Sequence, residues 1–151
     1  MSVFITGSSG FVGKSFIENF SDDKSIQWKR GNVININSAL VVIHLAGKAH
    51  DLKKTSNPEE YYQVNTELTK TVFDAFLDSD AKVFITLSSV KAIADEVEGE
   101  LNEEHIPNPI THYGKSKLFA EQYILSKVIH KVKRVYMIRP CMIHGTGNKG
   151  N

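Results

Sequence analysis

Thr6-Gly7-Ser8-Ser9-Gly10-Phe11-Val12-Gly13 follows the apolar run Val3-Phe4-Ile5 and leads into the helical pattern of Phe16, Ile17 and Phe20. Strand, glycine turn and helix, in that order, form the context a dinucleotide pyrophosphate needs. The glycines permit the tight turn, let the backbone approach the phosphates and let the helix pack on the strand. The helix start adds free N–H groups and the positive end of a dipole. The spacing is G-x-x-G-x-x-G, not the G-x-G-x-x-G of most dehydrogenase domains, and as a bare pattern it also fits an ordinary strand-to-helix turn.

With 151 residues the chain has the length of one domain and enough material for a core. Lys and Arg number 18 against 17 Asp and Glu, a net charge of +1, so no global field draws nucleic acid or an acidic membrane. Apolar runs such as Ala39 to Ile43 are far shorter than the ~20 residues that cross a bilayer. No basic-then-apolar leader precedes Val3, and the expected compartment is the cytoplasm. The single cysteine, Cys141, excludes an internal disulfide and is expected to be a small buried residue. The six histidines have no metal-ligand spacing, so no metal is expected.

The pattern predicts strands at 2–6, 26–28, 40–45, 82–87 and 134–138, and helices at 11–20, 58–79 and 112–130. Ser21-Asp22-Asp23-Lys24 reads as a polar turn. Residues 31–39 leave room for a short edge strand at 33–36 at most, with no crossover helix. Leu40-Val41-Val42-Ile43-His44-Leu45 is the continuous run of a strand buried on both faces, and it stops at the small residues Ala46-Gly47. Lys48, Ala49, His50 and Asp51 follow at its carboxyl end, the edge where open α/β sheets bind ligands. Thr55-Ser56-Asn57-Pro58-Glu59-Glu60 is a well-marked helix start, and Asn65 falls on the buried stripe of that helix, where an amide needs partners. The acidic stretch 95–109 reads as a solvated loop, with a lid as the functional alternative. Strand and helix alternate throughout, so a Rossmann-like, doubly wound parallel sheet is the economical topology.

Tyr113 and Lys117 lie one helical turn apart, hence on one face. A free tyrosine, pKa ~10, is a poor base at neutral pH, and a nearby ammonium favours the phenolate. Ser89 follows a buried strand, and its hydroxyl would hold the oxygen being oxidised while Tyr113 moves the proton. Y-x-x-x-K alone is a common surface pair; the order of glycine turn, small-residue strand end, serine and Y-x-x-x-K raises it above chance. Lys29 and Arg30 stand where NAD-specific domains place an acid. They either meet a ribose 2′-phosphate or simply end a strand at the surface, so NAD and NADP both stay open. His44 reads as a hydrogen-bonded core residue and Trp28 as a packing residue, while His50 and His144 fall at the site's edge.

With Gly7-x-x-Gly10-Phe11-Val12-Gly13, His44-Leu45-Ala46-Gly47, Val64-Asn65, Leu87-Ser88-Ser89, Tyr113-x-x-x-Lys117 and Arg139-Pro140 in this order, the chain resembles the NAD-dependent epimerase/dehydratases, the extended short-chain dehydrogenase/reductases that act on nucleotide sugars. The resemblance implies that Gly7, Gly10, Phe11, Val12 and Gly13 cradle the pyrophosphate of NAD or NADP. It implies that Leu45, Ala46, Gly47, Lys48 and Pro140 line the nicotinamide side. It makes Ser89, Tyr113 and Lys117 the catalytic set, with the last two also holding cofactor. In that family retaining dehydratases place Asp-Glu after the serine and inverting ones Asp-Lys; Val90-Lys91 lacks the Asp, which disfavours dehydration, though Lys91 keeps one inverting feature and a dehydratase stays among the alternatives. Ahead of it stands 4-epimerisation of a nucleotide sugar, a UDP-sugar first, or reduction of a 4-keto sugar. A non-catalytic dinucleotide-binding regulatory protein is the reading from another class. The resemblance also implies a homodimer through helices 58–79 and 112–130. It implies too that residues 1–151 are a cofactor-binding domain that stops before the substrate domain, and so lack normal turnover.

Overall fold

The computed structural model describes residues 2–20, 25–49 and 57–145. The expected turn at 21–24, together with His50, Asp51, Thr55 and Ser56, lies outside them. In chain order the elements are β1 (Val3–Thr6), α1 (Phe11–Phe20), β2 (Ser25–Trp28), β3 (Val41–His44), α2 (Pro58–Tyr61), a π-helical segment (Tyr62–Glu67), α3 (Leu68–Asp78), β4 (Val83–Leu87), a 3-10 turn (Val90–Ala92), α4 (His112–Leu125) and β5 (Arg134–Ile138). The five strands form one parallel sheet in the order β2-β1-β3-β4-β5. The chain runs outward from β1 to β2, then crosses back to β3. The strand order therefore reverses between β1 and β3, which is where open α/β sheets form a ligand crevice.

Both faces of the central strands are covered. Phe4, Val42 and Phe84 meet Val72, Phe73 and Phe76 of α3 and Ile124 of α4. Ile5, Val41 and Ile43 meet Phe16 and Ile17 of α1 on the other side. The rings of Phe73 and Phe76 sit 5.0 and 5.3 Å from that of Phe84. Trp28 packs against the first cluster, as its apolar body requires.

Three expectations need correction. Residues 33–36 form no strand, because no neighbouring strand is there to pair with them; Ile36 instead drops its side chain into the core while Val33 stays exposed. The helix expected over 112–130 ends at Leu125, where Ser126 turns its hydroxyl onto the Tyr123 carbonyl. The helix expected over 58–79 is α2 and α3 joined through the π segment, which pairs N–H groups with carbonyls five residues back and advances the register. Asn57 caps its start, accepting from the Glu59 N–H at 3.1 Å, with Pro58 as first residue.

Candidate active site

The carboxyl ends of β1, β3 and β4 converge on one edge of the sheet, and the glycine turn opens from the first. Gly7 adopts φ +73°, and a Cβ there would stand 2.4 Å from the Ala46 nitrogen. A Cβ on Gly13 would stand 2.1 Å from the Gly7 carbonyl oxygen, so α1 sits directly on the turn only because that position is glycine. Gly10 donates its N–H to the Gly7 carbonyl at 3.0 Å and is itself exposed. Phe11 and Val12 begin α1, whose first-turn N–H groups have no partner within the helix. Turn, helix start and dipole suit a pyrophosphate.

Across the crevice the chain leaves β3 through Leu45, Ala46, Gly47 and Lys48. Leu45 donates to the Thr6 carbonyl at 3.1 Å, which holds this wall against β1. A buried polar network fixes the rest, and its partners set its direction. Thr69 spends its hydroxyl proton on the Asn65 carbonyl at 2.8 Å, so it accepts from His44 Nε2 at 2.9 Å. Burial, and then the charge of Lys117, bring His44 down to about 3, so the ring is neutral and Nδ1 accepts. Thr6 donates to that nitrogen at 2.6 Å and accepts the Ala46 N–H at 3.2 Å. Asn65 answers the question its buried position raised: Oδ1 accepts the Lys48 N–H at 2.8 Å, and Nδ2 donates to the Lys48 carbonyl and to Ser116 Oγ. The π segment brings Asn65 and Thr66 together against α4, where Thr66 donates to the Ser116 carbonyl.

Ser89, Tyr113 and Lys117 meet at the end of β4. Ser89 is buried, accepts the Lys91 N–H at 3.2 Å and is hydrogen-bonded to the Tyr113 phenol. Pro140 lies beside this turn, accepting from the Val90 N–H at 3.3 Å. Gly114 makes the approach possible: a Cβ there would come within 2.4 Å of the Lys91 carbonyl oxygen. Lys117 Nζ donates to the Leu87 carbonyl at 2.9 Å, and burial lowers it to about 8 against the opposing pull of Glu121. A Cβ on Gly47 would meet Lys117 Nζ and Asn65 Oδ1, each at 3.3 Å, so the wall lies directly over the lysine.

The expected lowering of Tyr113 by an ammonium is not what the fold produces. Burial raises the phenol first; the Ser89 hydrogen bond pulls it back only in part, and the Tyr61 ring, 6.1 Å away edge-on, adds to the rise. Lys117, lowered to about 8, loses its proton before the raised phenol ionises, so it does not pull the phenol down. Ser88, one residue before Ser89, is the buried side-chain oxygen without a partner among the described residues.

Arg30 lines a cavity of about 390 Å³ together with Gly47, Lys48 and residues of α2 and the π segment; Lys29 does not. Lys48 Nζ pairs with Glu60 at 2.6 Å. Cys141 is exposed rather than buried, because it follows β5 into a surface loop; His144 is exposed there too. The acidic stretch is tied down at both ends, by Asp95 and by the Asn108 N–H, which donates to the Ile93 carbonyl at 2.7 Å. Burial pushes the Asp95 carboxyl up, but hydrogen bonds from Thr111 and Ile110 and the charge of Lys91 outweigh it and hold it below the ordinary value. Sequence reading missed Gly114, Ser116 and Glu121. Their signal was spacing alone, since Ser116 and Glu121 share the buried face of Tyr113 and Lys117 on α4.

A family model described as the NAD dependent epimerase/dehydratase family matches residues 25–151. A UDP-glucose 4-epimerase of Vibrio cholerae is 28% identical over 182 residues, covering 99% of this chain and 54% of that protein. An N-acetyl-alpha-D-glucosaminyl-diphospho-ditrans,octacis-undecaprenol 4-epimerase of Escherichia coli O157:H7 is 31% identical, covering 99% of this chain and 51% of that one. Among solved structures, RMD from Pseudomonas aeruginosa complexed with NADPH superposes with a TM-score of 0.74 at 25% identity, covering 99% of this chain and 57% of that one. The chain thus spans about half the length of the curated relatives it matches. Among the described residues no helix is long and apolar enough to cross a membrane.

Proposed function

The chain belongs to the NAD dependent epimerase/dehydratase family, and from that premise we propose that residues 1–151 form the cofactor-binding domain of a nucleotide-sugar 4-epimerase, with a UDP-sugar as substrate. The observation that carries the reading is the Ser89–Tyr113 hydrogen bond, with Lys117 one turn along α4, at the sheet edge that the glycine turn also faces. Gly7, Gly10, Phe11, Val12 and Gly13 would hold the pyrophosphate; Leu45, Ala46, Gly47, Lys48 and Pro140 would line the nicotinamide. A bound nicotinamide supplies the hydride acceptor. Ser89 orients the sugar oxygen, and Tyr113 exchanges the proton of the 4-hydroxyl. In the chain by itself burial keeps the phenol protonated, so Tyr113 is a donor first and becomes a base where positive charge is added beside it. Val90, apolar and next to Ser89, offers neither acid nor base for eliminating water.

Arg30 favours a second reading, an NADPH-dependent 4-keto reductase, because a guanidinium suits a 2′-phosphate, although Glu59 and Glu60 line the same cavity and oppose an anion there. Mass spectrometry of nucleotide released from the purified chain, with titration of NADH and NADPH, decides between them. Retained NAD supports the epimerase, and NADPH-only binding the reductase. Failure to bind either dinucleotide overturns both. The 151-residue chain should show no turnover on UDP-sugars, and turnover matching a full-length relative would refute the half-domain reading. A homodimer through the 58–79 and 112–130 region is supported by Phe119 and Leu125, which α4 leaves 45% and 68% exposed. Light scattering after size exclusion tests it; a monomer at high concentration would remove it.

A further inference from the structure

Tyr113, Lys117 and Glu121 are spaced by four residues along α4 and so form one stripe. Glu121 is 2% exposed, and a carboxylate that deep needs a partner. Arg139, leaving β5, supplies it with two parallel bonds: Nε to Oε1 at 2.9 Å and Nη2 to Oε2 at 2.6 Å. Such a fork fixes the carboxylate in place as well as in charge. Lys117 and Glu121 also line one small chamber with Thr86 and Ser88. The remaining titratable or charged neighbours are few: His44 faces Lys117 from β3 and is neutral, the Tyr113 phenol keeps its proton, and Glu103 faces Arg139 from the acidic loop. Glu121 is therefore the anion that acts on the buried ammonium, opposing the desolvation that would strip its proton.

We propose that Glu121, gripped by Arg139, is a positioning residue that keeps the Lys117 ammonium charged beside Tyr113. The proposal rests on the reading of Tyr113 and Lys117 as the reacting pair. It makes the α4–β5 ion pair part of the site's electrostatics and not only a tie between two elements.

The test is the titration of Lys117 in the 151-residue chain, followed by NMR of isotope-labelled lysine side chains. Glu121→Gln keeps the shape and removes the charge, so the Lys117 midpoint should fall by about one pH unit. Glu121→Asp keeps the charge within reach of Arg139, so its midpoint should stay closer to that of the unaltered chain than to that of Glu121→Gln. A general loosening of the fold would move both variants alike. An unmoved midpoint in folded Glu121→Gln, or an equal fall in Glu121→Asp, overturns the proposal. If Glu121→Gln does not fold, a fall of about one pH unit in Glu121→Asp overturns it by itself. Absence of dinucleotide binding by the unaltered chain would instead refute the proposed function and leave the titration result standing.

Discussion

α3 buries Thr69, Val72, Phe73 and Phe76, whereas α4 buries Gly114, Ser116, Ala120, Glu121 and Ile124. Only Ile124 of that second set joins the aromatic core beneath α3. The α3 contact is held by area removed from water and by interlocking rings, and it tolerates any arrangement that fills the space. The α4 contact is held by partners: Ser116 to Asn65 and the Tyr113 carbonyl, Thr66 to Ser116, Glu121 to Arg139, Lys117 to Leu87. Each of those groups costs free energy to bury unless its bond is made. The helix that carries the candidate chemistry therefore gains position at the expense of apolar burial.

Removing packing beneath α3 should have the largest effect. Phe84→Ala takes away the ring that Phe73 and Phe76 share and should lower unfolding free energy by about 3–5 kcal/mol in urea titrations. A loss below about 1 kcal/mol would mean the core relaxes around the gap. Next comes acid. Below about pH 6.5 the unfolded chain protonates His44, while the fold refuses the proton until about 3. The His44 contribution to stability must therefore fall as pH drops through that window, by up to about 1.4 kcal/mol per pH unit, and level off beneath it. His44→Gln should flatten that slope; an equal slope in the variant would show that other groups cause it.

Gly114→Ala sharpens the contrast on the other helix. Its methyl would press on the Lys91 carbonyl, costing about 1–3 kcal/mol and lifting Tyr113 from Ser89. Unchanged thermal stability would mean the two backbones separate freely. The smallest change in stability is expected for Ser89→Ala, within about 1 kcal/mol. There the readout is the ultraviolet titration of Tyr113, whose midpoint should move further upward once the hydrogen bond favouring the phenolate is lost. A midpoint that falls or stays put would show that Ser89 does not act on the phenol.

Strands were readable where burial on both faces writes a continuous apolar run, as at Val41–His44, and the glycine turn was readable because Gly7 and Gly13 are forced by contacts closer than any side chain allows. The edge strand expected at 33–36 does not form, since Val33-Ile34-Asn35-Ile36 encodes apolarity but not a partner to pair with. The π segment was invisible, because its residues follow an ordinary helical period on either side. Glu121 escaped notice for a related reason: a glutamate on a helix normally faces water, and only Arg139, eighteen residues away, makes its burial tolerable.

The chain of residues by itself determined the alternation of strand and helix, the glycine bend and the one-turn spacing of Tyr113 and Lys117, because these follow from local sterics and helical period. Only the tertiary structure decided that Ser89 reaches Tyr113, that His44 is a neutral tie between Thr6 and Thr69, and that burial raises the phenol and lowers the lysine. Hydrogen-bond partners and desolvation depend on which distant segments the fold brings together, and no local pattern carries that information.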